Sequence, residues 1–280
     1  MPESAPQAAS VTTRLAVRRV EKLTAHLIRI TAIPVNPADI TRFADIGYTD
    51  SYVKVIFRRP GVQYPEPLDL ALARAMLPRE QWPLMRSYTL REVNRQTTEI
   101  TIDFVYHGDI GIAGPWAAAV TPGTEFMVAG PVGAYAPDPT ADWHLMIGDE
   151  AALPAIAAGL TRVPAGALVH AAIEVWEPSD RQNLACPGEP RLEWFYRSER
   201  PELETALVDY VQTLRFPPGR VHAFVHGEAN AVKQIRRHLL HERGLLAEQL
   251  SISGYWRRGY DDEAYRGAKA AERAEETISV

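Results

Sequence analysis

The hydrophobic pattern of this chain changes its period near a Pro- and Asp-rich stretch at residues 137–142. Before that stretch, apolar and polar residues alternate in short segments, which is the pattern of strands with one buried face. The clearest segments are residues 12–20, 23–33, 52–57, 99–106 and 124–130. Several short strands with Gly/Pro turns between them favour a small antiparallel barrel. The stretch at 137–142 is interpreted as a linker that ends this barrel.

After the linker, short apolar runs alternate with helical patterns. Predicted strands lie at 143–148, 168–176, 191–196, 220–226 and 249–254, and predicted helices at 151–162, 202–214 and 229–243. This rhythm predicts an α/β domain with a parallel sheet and crossover helices. We therefore predict a flexible N-terminal tail, a β-barrel, an α/β domain and a solvent-exposed C-terminal helical tail, over residues 1–13, 14–137, 138–260 and 261–280.

Composition excludes several classes of protein. The 280 residues, 46% of them hydrophobic, suffice for one large or two ordinary domains. A net charge of −5 argues against a nucleic-acid partner. The single cysteine, Cys186, excludes an intrachain disulfide and a cysteine-ligated iron–sulfur cluster. No apolar run is as long as a membrane span, and the first residues lack the features of a signal peptide. We expect a cytoplasmic protein with no membrane partner.

The segment R-S-Y-T-L-R at residues 86–91 carries groups that suit a bound dinucleotide. Arg86 offers a planar cationic fork for a pyrophosphate. Tyr88 offers an aromatic face for a flat ring, and Thr89 offers a hydroxyl group and a backbone N–H. Together these residues indicate a flavin site.

A second segment, residues 103–118, contains a Gly/Asp-rich loop from His107 to Gly111 and then Gly114 and Pro115. Gly at the N-cap and Pro at the first helical position are typical of a helix start. The free N–H groups of such a start would suit a pyrophosphate. The segment by itself also fits an ordinary capped turn, but its position just after R-S-Y-T favours the cofactor interpretation.

Seven separated blocks carry a resemblance that covers the chain from about residue 14 to about residue 266. They are Y-V-K-V-I-F (52–57), R-S-Y-T-L-R (86–91), D-F-V-Y-H-G-D-I-G-I-A-G-P-W-A (103–117), A-G-P-V-G-A-Y (129–135), G-D-E-A-A-L-P-A-I (148–156), H-G-E (226–228) and G-Y-W-R-R-G (254–259). In this order, the blocks resemble the siderophore-interacting proteins, which are FAD-containing ferric-siderophore reductases. The resemblance implies a ferredoxin-reductase-like plan, with an antiparallel flavin-binding barrel before a parallel-sheet nucleotide-binding domain.

The resemblance also implies which residues bind FAD and NAD(P)H. FAD would be held by Arg86, Ser87, Tyr88, Thr89, Asp103, Phe104, Val105, His107, Gly111, Ala113, Gly114, Trp116 and Ala117. The nicotinamide nucleotide would be held at strand ends by Gly148, Asp149, Glu150, Ala151, Gly227 and Glu228. The second domain lacks the G-x-G-x-x-G fingerprint. Arg197 and Arg200 are candidates for a 2′-phosphate, which would favour NADPH over NADH, although arginines beside a glutamate are often only solvated.

Basic residues in two of the blocks are candidates for binding the ferric siderophore. They are Lys54, Arg257 and Arg258, at positions that match pocket-lining cations of the family. Long cations suit anionic, oxygen-rich chelators, but a lysine on a strand and arginines after one are also ordinary surface residues. The chain departs from the family at Gly114 and Ala151, where many members carry Ser and Thr, so two hydroxyl groups near the cofactors are lost.

The activity implied by the resemblance is hydride transfer from NADPH or NADH to FAD, followed by reduction of chelated Fe(III) to Fe(II), which then leaves the siderophore. This scheme needs no protein acid, base or nucleophile, so no catalytic residue and no resident metal are predicted. Two alternatives stay open. The chain would be a flavin reductase or electron carrier for another acceptor, with ferredoxin as a further donor, or it would be a siderophore-binding module without activity.

Overall fold

The computed structural model describes residues 11–199 and 205–278. The chain divides into two compact units, Met1–Ala136 and Pro137–Val280. Within the described ranges, none of the helices combines the length and the apolar character that crossing a membrane requires.

The first unit is a closed six-stranded antiparallel barrel with the strand order β1-β2-β5-β4-β3-β6. The strands are β1 (Thr12–Lys22), β2 (Leu27–Pro34), β3 (Tyr52–Phe57), β4 (Leu84–Asn94), β5 (Glu99–Val105) and β6 (Glu125–Val132). Inward-facing apolar residues such as Leu15, Ile30, Val53 and Phe104 fill the barrel. Because the sheet closes on itself, each strand is paired along both edges, and the predicted alternation accounts for this core.

Three short helices accompany the barrel: α1 (Ile40–Ala44), α2 (Leu70–Met76) and α3 (Ala113–Ala119). Asp69 caps α2 by accepting hydrogen bonds from the N–H groups of Ala71 and Leu72. Leu70 of α2 joins a second apolar cluster with Met85 of β4. This cluster covers part of the outer face of the barrel.

The start of α3 differs from the prediction. The helix begins at Ala113 with Ile112 as its N-cap, so Gly114 is not the N-cap and Pro115 is not the first helical residue. A Cβ atom at position 114 would lie 3.3 Å from the carbonyl oxygen of Val105. Gly114 therefore lets the first turn of α3 approach the end of β5, and this close packing explains the glycine better than capping does.

The second unit is a five-stranded parallel sheet with the order β11-β10-β7-β8-β9. Its strands are β7 (Trp143–Asp149), β8 (Leu168–Val175), β9 (Glu189–Tyr196), β10 (Val221–Glu228) and β11 (Leu250–Trp256). The helices are α4 (Leu153–Leu160), α5 (Ala206–Thr213), α6 (Ala229–Arg237) and α7 (Asp262–Ile278). The central strand β7 is buried along its whole length. The predicted barrel followed by a parallel-sheet α/β fold is confirmed.

The order of the strands reverses between β7 and β10. The chain runs from β7 outward through β8 to β9 and then returns to the other side of β7 to form β10. In open α/β sheets, ligands bind at such a switch point, outside the carboxyl ends of the strands. A nucleotide site is therefore expected at the carboxyl edge of this sheet, between β7 and β10.

The C-terminal helix α7 is exposed at most of its described positions, but two of its residues are held against β11. Tyr265 is only 6% exposed. Lys269 donates hydrogen bonds to the hydroxyl oxygen of Ser253 at 2.8 Å and to the carbonyl oxygen of Gly254 at 2.7 Å. The sequence pattern predicts the helix. It does not predict the contacts of Tyr265 and Lys269, because these two residues lie in a segment rich in charged residues.

Candidate functional site

The predicted flavin motif lies in the middle of β4. Arg86 and Tyr88 are two residues apart on a strand and share one of its faces. In the register with β3, Arg86 lies opposite Val55 and Tyr88 opposite Val53. The ring of Tyr88 lies 4.2 Å from that of Phe104, between centroids, at an interplanar angle of 36°. This contact joins the motif on β4 to the second predicted FAD segment on β5.

Lys54 of β3 lies directly opposite Ser87 of β4. Directly opposite residues of an antiparallel pair have their Cβ atoms about 5 Å apart on the same face of the sheet. The structure thus brings a predicted siderophore-binding residue next to the predicted flavin motif. Ser87 is exposed and Lys54 is half-buried.

Asp103, one of the predicted FAD-site residues, is paired with an arginine of the barrel. Its carboxylate accepts two hydrogen bonds from Arg29, from Nε at 2.7 Å and from Nη2 at 2.8 Å. The Asp103 side chain is 1% exposed, whereas that of Arg29 is 25% exposed. This bidentate pair links β2 to β5, so the carboxylate is used to hold the barrel together.

Arg91, the last residue of R-S-Y-T-L-R, has a role that the sequence alone does not indicate. Its Nε is buried and has no hydrogen-bond partner within the described part of the chain. Burial lowers the pKa of the Arg91 guanidinium, while the charge of Asp103 acts in the opposite direction. A buried N–H without a partner is costly. Arg91 therefore lies beside the Arg29–Asp103 pair, and Arg86 is the cation that shares a face of β4 with Tyr88.

Other predicted FAD residues divide into exposed and packed positions. His107 and Gly111 lie in an exposed loop, where Gly111 has a φ of +79° that favours glycine. Ala113 and Ala117 are buried in the barrel core. The ring of Trp116 packs against Phe57, Phe104 and Phe126 at centroid distances of 5.6, 5.6 and 5.2 Å. These packed residues fix the position of α3 beneath the loop.

In the second unit, Asp149 ties together the carboxyl ends of three strands. It ends β7 and is 2% exposed. Its carboxylate accepts hydrogen bonds from the N–H of Ala151 at 3.0 Å, the N–H of Glu228 at 2.8 Å and Nε1 of Trp256 at 2.7 Å. Burial, helped by the charge of Glu150, raises the pKa of Asp149 to about 7. Asp149 is therefore a buried anchor of this edge.

Arg197, predicted to contact a 2′-phosphate, lies between two buried carboxylates. It forms ion pairs with Glu150 and with Glu174, the latter at 3.2 Å from Nη1. The three side chains are only 12% (Arg197), 12% (Glu150) and 14% (Glu174) exposed. The guanidinium thus neutralises the chain's own acids. Arg200, the other candidate, lies outside the described residues.

Two glycines at this edge allow the backbone to come close. A Cβ at Gly148 would lie 2.6 Å from the Cβ of Ala152 and 2.7 Å from the carbonyl oxygen of His226. Gly227 has a φ of +141°, and a Cβ there would lie 2.6 Å from Oδ2 of Asp149. Close packing therefore requires both predicted nucleotide-site glycines, Gly148 against Ala152 and His226, and Gly227 against Asp149.

Replacing Gly227 with alanine is expected to destabilise the second unit by about 3 kcal/mol, since backbone strain adds to the displacement of a hydrogen-bonded carboxylate. The matched control is Gly166→Ala, because Gly166 also has a positive φ, +77°, but no atom near its Cβ position. The control is expected to cost about 1 kcal/mol. Urea denaturation of both variants measures the difference, and equal losses would contradict the close packing against Asp149.

The two adjacent arginines after β11 belong to different surroundings. Arg257 pairs with Glu272 of α7, with 3.0 Å between Nη1 and Oε1. Arg258 donates its backbone N–H to Oε1 of Glu228 at 3.2 Å and lines a cavity at the carboxyl edge of the sheet. The two predicted siderophore-binding arginines therefore have different neighbours.

Residues 16–135 match the family model described as a siderophore-interacting FAD-binding domain, and residues 141–259 match the model described as a siderophore-interacting protein. An uncharacterized protein of Mycobacterium tuberculosis is 41% identical over 257 residues, which cover 87% of this chain and 89% of that protein.

Two further proteins carry informative names. The ferric vibriobactin reductase ViuB of Vibrio cholerae is 34% identical over 191 residues, which cover 66% of this chain and 69% of ViuB. The crystal structure of the siderophore-interacting protein SipS from Aeromonas hydrophila matches with a TM-score of 0.75 at 30% identity, covering 95% of this chain and 99% of SipS. Comparison by sequence and comparison by structure thus agree.

Proposed function

Since the chain belongs to the siderophore-interacting protein family and is an FAD-dependent oxidoreductase, we propose that it reduces the iron of a ferric siderophore with electrons from NADH or NADPH. The iron is the substrate, and its reduction releases it from the chelator in the cytoplasm. The observation that carries the proposal is the Arg86–Tyr88 motif on β4 of a barrel that matches an FAD-binding family model over residues 16–135.

The residues that would hold FAD come from β4 and the segment after β5. Arg86 supplies a planar cationic donor for the pyrophosphate on the face of β4 that also carries Tyr88. Tyr88 supplies an aromatic ring already braced against Phe104. FAD, when bound, would accept two electrons together from the nicotinamide and pass them on one at a time.

Reduction of the iron requires no acid, base or nucleophile from the side chains. Fe(II) carries less charge than Fe(III) and binds hard oxygen donors more weakly, so the chelator loses the metal after electron transfer. The task of the chain is then to bind the chelator where its iron can receive electrons. Lys54, opposite Ser87 of the flavin motif, is the described cation best supported for this in the first unit.

The test is anaerobic spectroscopy of the FAD-loaded protein. NADH or NADPH should bleach the flavin absorbance, and a ferric catecholate siderophore should restore it while an Fe(II) chelator develops colour. The gallium complex of the same siderophore is the matched control, since it has the same charge and takes no electron. A flavin that stays reduced with the ferric complex but is reoxidised by a quinone would contradict the proposal and favour an electron carrier for another acceptor.

A bleaching failure with both nicotinamide nucleotides would instead point to another donor such as ferredoxin. The final step of the proposal can be tested separately, by reducing the flavin with light and then adding the ferric siderophore.

Replacing Lys54 with alanine is expected to raise the KM for an anionic ferric siderophore about fivefold, the effect of losing one partly exposed charge contact. Turnover of a neutral quinone should not change. The matched control is Lys22→Ala, at the exposed end of β1. Equal losses with the ferric siderophore and the quinone would remove Lys54 from the substrate site.

A further inference from the structure

The segment at residues 137–142, interpreted from the sequence as a linker, is hydrogen-bonded to the sheet of the second unit through a histidine. His222 is the second residue of β10, and its Nδ1 accepts a hydrogen bond from the backbone N–H of Asp138 at 3.0 Å. A ring nitrogen accepts a hydrogen bond only when it carries no proton. This bond therefore requires a neutral imidazole and is lost when Nδ1 is protonated.

Three further contacts hold the same segment, and none of the three depends on a histidine. Arg220 pairs with the Asp138 carboxylate, with 2.8 Å between Nη1 and Oδ2, and donates from Nη2 to Oγ1 of Thr140 at 2.6 Å. The backbone N–H of Asp142 donates to the carbonyl oxygen of Arg220 at 2.9 Å. Hydrogen bonds from Thr140 and then from Arg220 lower the pKa of Asp138, so its carboxylate stays charged at mildly acidic pH. Acid therefore leaves these contacts in place.

His144, the second residue of β7, is a close neighbour of His222. The two residues lie opposite each other in the register of β7 and β10, and their ring centroids are 6.3 Å apart. His144 is 0% exposed, and neither of its ring nitrogens has a hydrogen-bond partner within residues 11–199 and 205–278. Burial, followed by the effect of His222, lowers the pKa of His144 to about 4. The pair is therefore stable as two neutral imidazoles at pH 7.

The charged groups that act on the His222 ring come from the linker segment and from the residue before β10. Burial has the largest effect and lowers the pKa of His222, the Asp138 carboxylate raises it, and Arg220 lowers it again. On the other side of β7, Val169 of β8 lies opposite His144 and adds no charge. The result is a pKa below the ordinary value of 6.5 while the hydrogen bond to Asp138 is present.

We propose that His222 is an acid-sensitive latch for the start of the linker segment, holding the N–H of Asp138 when neutral and releasing it when protonated. A protonated Nδ1 would direct its own N–H at that of Asp138, and two donors do not bond. Because the latched ring binds protons less readily than a released one, release is coupled to proton uptake. Release therefore becomes more favourable as the pH falls below about 6.5. The latch is independent of the proposed reduction of iron.

The test is amide hydrogen exchange of the full chain, measured by NMR at pH 7.5 and pH 5.5 and corrected for the intrinsic effect of pH on exchange. The protection factor of the Asp138 amide is expected to fall at least about threefold at the lower pH, since uptake of one proton changes the equilibrium by up to about tenfold per pH unit. The amide of Asp142, which donates to the backbone of Arg220, is the internal control and should keep its protection. An unchanged protection factor at Asp138, or an equal fall at Asp142, would overturn the inference.

A pair of matched variants assigns the effect to His222. His222→Asn keeps an acceptor near the position of Nδ1 but takes up no proton in this pH range, so the protection of Asp138 should be equal at both pH values. His241→Asn replaces an exposed histidine in the helical turn that follows α6 and should behave as the wild type does. A fall in protection that persists in His222→Asn would assign the pH dependence to another group and refute the latch. The wild-type comparison of Asp138 with Asp142 stands even if a variant does not fold.

Discussion

Replacing Arg197 with methionine is expected to lower the free energy of unfolding of the second unit by about 3–5 kcal/mol, the cost of leaving buried charges without their partner. Glu150 and Glu174, its two partners, are 12% and 14% exposed, so water cannot replace the lost guanidinium. Methionine keeps most of the side-chain volume, which separates the loss of charge from the loss of packing. Urea denaturation at pH 7 measures the effect.

The pH dependence of this loss is a second measurement on the same variant. Burial already raises the pKa of Glu174, and removing Arg197 would raise it further. A carboxyl whose pKa is higher in the folded state binds more protons when folded, so the variant regains stability as the pH falls. The deficit relative to wild type should be smaller at pH 5 than at pH 7.

The matched control for this prediction is Arg191→Met, on an exposed position of β9 in the same sheet. It is expected to change stability by about 0.5 kcal/mol or less. A triple variant with Glu150→Gln and Glu174→Gln should recover part of the loss, because the buried charges are then gone. A small effect in Arg197→Met, independent of pH, would contradict a buried ion-pair network.

Replacing Arg86 with alanine is expected to weaken FAD binding about 100-fold. The loss follows from the proposed contact with the pyrophosphate, since hydrogen bonds to a charged group contribute about 1.5–3 kcal/mol and tenfold in affinity corresponds to about 1.4 kcal/mol. Titration of the apoprotein with FAD, followed by quenching of flavin fluorescence, gives the dissociation constant.

Two further variants test whether the loss of FAD affinity depends on the guanidinium group at position 86. Arg86→Lys keeps the charge but loses the planar fork, and should recover only part of the affinity. Arg79→Ala removes an exposed arginine in the turn just before β4 and should bind FAD as the wild type does. An unchanged dissociation constant in Arg86→Ala, or an equal loss in Arg79→Ala, would refute the assignment of Arg86.

The hydrophobic pattern changes from period two in the first unit to alternating strand and helix patterns in the second. This change was sufficient to predict the barrel and the α/β fold. Strands β5 and β7 could be predicted because burial sets the order of apolar and polar residues along a strand. Strand β5 shows alternation, and β7 is a largely apolar run that is buried on both faces. The flavin motif was equally visible, because Arg86, Tyr88 and Thr89 are contributed by one strand. Helix α3 was predicted but its start was not, because the packing of Gly114 on Val105 depends on the end of another strand.

The partners of the charged residues were decided only by the tertiary structure. Arg29 and Asp103 are 74 positions apart, and Arg197 and Glu174 are 23 apart. Whether such residues meet depends on strand order and register, which periodicity does not encode. Arg197 therefore read as a candidate for a phosphate contact, although the strand order places it between two acids.

The sequence by itself determined the two folds, the flavin motif and the family, because each is carried by residues that act locally or within one strand. Only the tertiary structure decided which charges remain available to a ligand at the carboxyl edge of the sheet. The physical reason is that a charge buried in the fold is neutralised by whatever residue the topology brings beside it. There the topology brings Glu174 and Glu228 to one cavity and pairs Arg197 with Glu150 and Glu174.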